Sequence, residues 1–116
     1  MSLSDLGDEQ LLGIVVPIMD NLMDASTRIN YGAHVRDFTD RARASLSETN
    51  FRRVCESYQS EKGYFADREL LGILRRPGSV VVIWKQRFTK APGEYLAELV
   101  LSESAGRPMI ERVMVI

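Results

Sequence analysis

Apolar positions recur with a helical period through the first half of the chain and with a period near two through the second. From Asp8 to about Thr27 the run "DEQLLGIVVPIMDNLMDAST" predicts a helix with an acidic first turn, which suits the positive end of the helix dipole. It is apolar nearly all round before Pro17, as expected of a helix buried on more than one side. Pro17 removes a backbone donor, so a kink or a fresh helical start is expected there. Tyr31, Val35, Phe38 and Ala42 then repeat at helical spacing, with Arg36/Asp40 and Asp37/Arg41 as i,i+4 pairs outside. Ser47 fits the N-cap of a third helix ending near Lys62, and Gly63 fits the position just after it. The inward stripe of that helix is Phe51, Val54, Cys55 and Tyr58.

After Gly63 the pattern gives four strand candidates: "YFADRELLGILRR", "SVVVIWKQRFTKA", "EYLAELVLSES" and "RPMIERVMVI". Pro-Gly stands at the centre of the first two joints, "RRPGS" and "KAPGE". Proline presets φ at the first turn position and glycine takes positive φ at the second. "SESAGRP" is a looser third turn. Short joints imply an antiparallel meander, and the helices before it must cover it. The expected fold class is α+β, a single domain over residues 1–116 with helices about 8–62 and a meander about 64–116.

Register decides which side chains face the helices, because a slip of one residue reverses both faces. With Arg76 opposite Ser79 and Ala91 opposite Glu94, one face carries Leu71, Ile73, Val82, Trp84, Phe88, Ala97, Leu99, Leu101, Val113 and Val115. That is the expected covered face. The opposite face carries Leu70, Leu74, Val81, Ile83, Val100 and Met114, mixed with Arg68, Lys85, Arg87 and Glu98. A solvated face should be more polar than that, and contiguous exposed apolar surface usually marks an interface. A homodimer through Ile83, Val100 and Met114 is therefore expected; coverage by the N-terminal helix is the alternative.

Composition narrows the function classes. The apolar share of 45%, charged share of 27% and net charge of −1 describe an ordinary globular chain without a global basic field. Nucleic acid and membrane are not expected as partners. A single cysteine excludes an internal disulfide and a multi-cysteine zinc site, and suits a reducing, cytoplasmic setting. The acidic start "MSLSDLGDEQ" lacks the positive region of a signal peptide, and the apolar run from Leu11 to Met23 is too short and too interrupted to span a bilayer.

Candidate chemistry is sparse. "INYGAHVRDF" holds the only histidine, His34, beside Asn30, Tyr31 and Asp37. One histidine without a matched acidic cluster is poor ligand chemistry, so the stretch reads as a helix start with His34 toward solvent and Tyr31 and Phe38 packed inward. Cys55 reads as core, since no adjacent base would activate it. No metal and no cofactor is expected. The glycine and nucleophile patterns of P-loops, serine hydrolases and zinc peptidases are absent. The better site is where the covered face turns polar, at Asp67, Glu69 and Gln86. With Tyr58 arriving from the third helix, a pocket is expected with Tyr58, Glu69 and Gln86 at its polar end and Phe38, Trp84 and Leu99 as its walls. The alternative is that this end of the sheet frays into solvent.

The element order, the paired amphipathic helices in "NYGAHVRDFTDRARASLSETNFRRVCESYQSEKG" and the long hairpin "VVVIWKQRFTKAPGEYLAELVL" resemble the nuclear transport factor 2-like superfamily, the cystatin-like α+β roll. The likeness is to small bacterial members of unassigned function. It implies N-terminal helices packed on a curved four-stranded antiparallel sheet, a conical cavity between them, and frequent dimerisation through the sheet. The superfamily holds ketosteroid isomerase, dehydratases, polyketide cyclases and many non-enzymatic binding domains, so membership leaves function open. The acid, base and tyrosine of ketosteroid isomerase have no residue-by-residue counterpart here. The expected function is a non-catalytic domain that binds a small apolar ligand or a protein. The alternative is a cofactor-independent lyase or isomerase using Asp67 or Glu69.

Overall fold

The structure, a computed structural model, describes residues 2–104 and 106–116. A 3-10 turn at Leu3–Asp5 precedes helices α1 (Asp8–Thr27), α2 (Tyr31–His34), α3 (Asp40–Ala44) and α4 (Glu48–Lys62). Strands β1 (Phe65–Arg76), β2 (Ser79–Phe88), β3 (Tyr95–Ser104) and β4 (Arg107–Val115) follow. They form one open antiparallel sheet in the order β1-β2-β3-β4. This is an α+β fold with helices packed on the sheet. Among the described residues no helix is long and apolar enough to cross a membrane.

α1 supplies the deepest part of the core. Its stripe Leu11, Val15, Met19 and Leu22 is buried against Val80, Val82, Trp84, Leu99 and Leu101. Each such side chain taken out of water contributes about 1.5–3 kcal/mol. Two arginines tie the helix to the sheet edge: Arg75 reaches Asp8 at 2.6 Å and Arg68 reaches Asp20 at 2.5 Å. The helix runs unbroken through Pro17; there is no second start, which corrects that part of the expectation. α4 begins and ends where the sequence placed it. Ser47 accepts from the Asn50 amide, and Gly63 follows at φ +86°. A Cβ on Gly63 would stand 2.4 Å from the Thr89 hydroxyl, so both conformation and space demand glycine.

The helix expected over Tyr31–Ala42 is broken in two. Asn30 caps α2 and Thr39 caps α3, each through its side-chain oxygen. Between them a turn over residues 35–37 leads to a parallel bridge of Phe38 beside Ile110 of β4: the Thr39 amide donates to the Ile110 carbonyl, and the Ile110 amide donates to the Asp37 carbonyl. The edge of β4 thus finds backbone partners that a continuous helix could not provide. The i,i+4 pairs dissolve with the helix, and Asp37 pairs instead with Arg36 and Arg107.

Arg76 does pair with Ser79. β2 and β3 pair four residues tighter than Ala91 opposite Glu94 would require, Gln86 lying opposite Tyr95. An even shift leaves the faces unchanged, so Val82, Trp84, Ala97, Leu99 and Leu101 are buried under the helices. β1 breaks the pattern. Its register shifts between Leu70 and Gly72 and again between Phe65 and Arg68. An extra residue rotates every later side chain to the other face. Leu71, expected in the core, is 53% exposed, and Arg68 turns inward over Trp84 while Glu69 turns outward. Leu70 and Leu74 on this edge strand are also exposed. The third turn falls on Ala105, outside the described residues; Gly106 beside it has φ +77°.

Gln86 repairs the lower shift. It is 1% exposed, and its amide nitrogen lies within hydrogen-bond distance of the carbonyls of Ala66, Asp67 and Arg87. Gln86→Leu keeps the volume but leaves those carbonyls without their donor, so we expect a loss of roughly 1–3 kcal/mol in denaturant unfolding. A change well under that range would mean the shifted strand holds itself.

Candidate functional site

α4 does not close onto the sheet. Between its inner face, the end of α1, the α2–α3 segment and the C-terminal part of β4 lies a cavity of about 600 Å³. That falls within the ~300–1,000 Å³ typical of small-molecule sites. The stripe Phe51, Cys55, Tyr58 and Lys62 runs along one wall, and Val113 and Val115 of β4 stand among the residues lining it. At about 1.5 Å rise per residue, Phe51 and Lys62 are roughly 16 Å apart along the helix.

Near Phe51 the cavity meets His34. The ring is 8% exposed and packs at 4.5 Å from Phe51 and 5.5 Å from Phe38, centroid to centroid. This corrects the expectation that His34 faces solvent: breaking the helix after it lets the ring turn under α4. Nδ1 is buried without a protein partner. Burial pushes the pKa of His34 from 6.5 down to about 4, the nearby Leu22 backbone pulling more weakly the other way. The ring is neutral near pH 7.

Midway along, Ser26, Cys55 and Tyr58 form a small polar group. The Ser26 and Tyr58 hydroxyls are 2.7 Å apart, and the Cys55 sulfur is 3.5 Å from the Ser26 hydroxyl. Gln59 fixes the end of α1 by donating to the Ser26 and Thr27 carbonyls. Desolvation raises the pKa of both the Cys55 thiol and the Tyr58 phenol, which keeps both protonated. Toward Lys62 the wall becomes aromatic. Tyr58, Phe65, Phe88 and Tyr95 follow one another at 5.0, 5.2 and 5.1 Å between ring centroids. At the rim, Glu111 is held below the usual carboxylate range by Arg41 and then by the Ser102 hydroxyl.

The residues expected at the pocket therefore part company. Phe38 and Tyr58 line the cavity. Trp84 and Leu99 lie in the closed core under α1, and Gln86 is spent on the β1 carbonyls. Glu69 and Asp67 stand on the outer face, at 63% and 70% side-chain exposure, paired with Lys85 and Arg87. Neither carboxylate reaches the cavity, because the Leu70–Gly72 shift inverted that end of β1. Gly72 inside an otherwise regular strand was the signal for it. Ser26, His34, Phe51, Lys62, Phe65 and Tyr95 are among the cavity residues that sequence reasoning missed. Among the described residues no group of three or more His, Cys, Asp or Glu side chains could hold a metal.

No family model and no curated protein matches the chain. Solved structures do. A SEC-C motif containing protein from Rhodopseudomonas palustris superposes with a TM-score of 0.58 at 14% identity, over 90% of this chain and 91% of that one. A candidate polyketide cyclase from Sinorhizobium meliloti gives 0.51 at 15% identity, with both chains fully covered. Bd1075 from Bdellovibrio bacteriovorus gives 0.56 at 9% identity over 92% of this chain, which spans 40% of that protein's length. At these identities the likeness is one of fold: a small α+β domain shared with bacterial proteins.

The buried histidine makes a pH prediction. The folded pKa lies below the unfolded one, so the unfolded state binds more protons between them and stability falls as pH drops from 6.5 toward 4. The loss from this group is about 3 kcal/mol, levelling off below the folded pKa. Denaturant titrations of wild type and His34→Phe from pH 7.5 to 4 should diverge by that amount. Parallel curves would mean the ring is solvated.

Proposed function

We propose that this chain is a small non-catalytic ligand-binding domain of the nuclear transport factor 2-like type, taking a mostly apolar organic molecule into the cavity under α4. The observation that carries the reading is the 600 Å³ space walled by Phe38, Phe51, Phe65, Phe88 and Val113, with a few polar groups set into it. An apolar wall with few oriented polar groups is the usual composition of a small-molecule site. The shared fold with a candidate polyketide cyclase also favours an organic ligand over an ion or a polymer. The lyase or isomerase reading loses its two carboxylates, since Asp67 and Glu69 lie outside. Within the cavity His34 is a weak base, Cys55 and Tyr58 hold their protons, and Glu111 is tied to Arg41 and Ser102. A general acid or base needs a pKa near the working pH.

The test uses a neutral aromatic probe, 2-naphthalenemethanol, followed by calorimetry. One molecule should bind per chain, and at a hundredfold excess over Kd it should stabilise the fold by about 2.7 kcal/mol. Val54 lines the cavity and is 52% exposed, so Val54→Trp adds bulk at the entrance without disturbing the core. It should weaken binding at least tenfold. Absence of any binding by wild type would contradict the reading.

Self-association through the outer sheet face belongs to the same proposal. Ile83, Val100 and Met114 stand half-buried on that face beside Val81, which is already covered at 4% exposure, and are ringed by the Lys85–Glu69 and Arg112–Glu98 pairs. Light scattering should give about twice the 13.1 kDa chain mass, and Ile83→Asp should give monomer. A monomeric wild type at high concentration would contradict it.

A further inference from the structure

Resting on the reading of the cavity as a ligand site, we propose that its ligand is an organic acid whose anionic group is seated on Lys62. Lys62 is the last residue of α4 and continues the stripe Phe51, Cys55, Tyr58, so its side chain enters the same cavity wall. It is half-buried. Its ammonium stands 5.9 Å from the Phe88 ring centroid and 5.5 Å from that of Tyr95. The negative faces of the two rings hold it there, but a ring quadrupole does not neutralise a charge.

The other charges at this rim are already satisfied or turned to water. Arg112 binds Glu98, Glu111 takes Arg41 and Ser102, and Arg53 is exposed and bonded to Asn50. Glu61, next to Lys62, is exposed. Among the described residues Lys62 is thus the half-buried cation of the cavity with aromatic rings, and no carboxylate, against it. A carboxylate, sulfonate or phosphate arriving there would make a charge-assisted hydrogen bond in partly desolvated surroundings, where such bonds are strongest. Its apolar body would lie along α4 toward His34. The neutral imidazole adds no second positive charge at that end, so the cavity has one anionic seat.

A lysine at a helix C-terminus also serves the exposed carbonyls there, and the experiment separates the two roles. Calorimetry compares 2-naphthoate, 2-naphthalenemethanol and 2-naphthylmethylammonium at pH 7 on wild type, Lys62→Met and Lys62→Arg. Methionine keeps an apolar stem against Phe88 and Tyr95 but removes the charge; arginine keeps the charge. The wild type should prefer the acid over the alcohol about tenfold and bind the amine most weakly. Lys62→Met should abolish the preference for the acid while still binding the alcohol, and Lys62→Arg should retain the preference. Equal binding of acid and alcohol by wild type, a preference for the amine, or an acid preference that survives in Lys62→Met would overturn the inference and leave the cavity reading standing. Failure of all three probes to bind would overturn both.

Discussion

A single covered sheet face that is wider than one helix governs this molecule. Four strands at about 4.8 Å spacing make a sheet roughly 19 Å across, and a helix with its side chains is about 10 Å wide. α1 fills the middle of that face, over Val80, Val82 and Trp84 of β2 and Leu99 and Leu101 of β3, with side chains that leave no room, and its Asp8 and Asp20 pair with Arg75 and Arg68 of β1. The rest of the face, toward Phe65, Phe88, Val113 and Val115, falls to α4, whose buried apolar side chains are only Phe51 and Cys55. So polar a helix has little to gain from being pressed onto the sheet. It is hung instead from its end, where the Lys90 and Ala91 amides donate to the Lys62 carbonyl and Tyr58 meets Phe65. What α4 leaves uncovered is the cavity.

The same constraint explains which features could be read along the chain. α1, α4 and the two Pro-Gly turns are locally determined: caps, an apolar stripe and glycines at positive φ sit within a few residues of one another. The face assignment of β2 and β3 survived because their pairing contains no insertion. β1 misled because an added residue is a matter of pairing between strands, and period-two patterning carries no record of it apart from Gly72. The α2–α3 break misled for a related reason. Residues 37–39 have helical spacing, but they lie where the outer edge of β4 needs partners, and a tertiary hydrogen bond outweighs a modest helix preference.

Those two departures account for the displaced site. Inverting the end of β1 carries Asp67 and Glu69 out to Lys85 and Arg87, and ending α2 at His34 turns the histidine in beneath Phe51. The polar chemistry moves from a carboxylate pair to a neutral imidazole, two hydroxyls, a protonated thiol and one lysine. Burial keeps the imidazole neutral and the thiol and phenol protonated at pH 7, which supports the proposal that the cavity holds a molecule rather than transforming it. The fold itself is shared with proteins of different descriptions, so it is these side chains that carry the reading.

The central claim, that the space under α4 admits a ligand while the outer sheet face does not, is tested most directly by two-dimensional NMR of the labelled protein titrated with 2-naphthalenemethanol. The ring proton signals of His34, Phe51 and Tyr58 and the methyl signals of Val113 and Val115 should shift together with one binding constant. Those of Leu74, Ile83 and Val100 should stay in place. Shifts confined to the outer-face residues, or none at the cavity residues under saturating probe, would contradict the account.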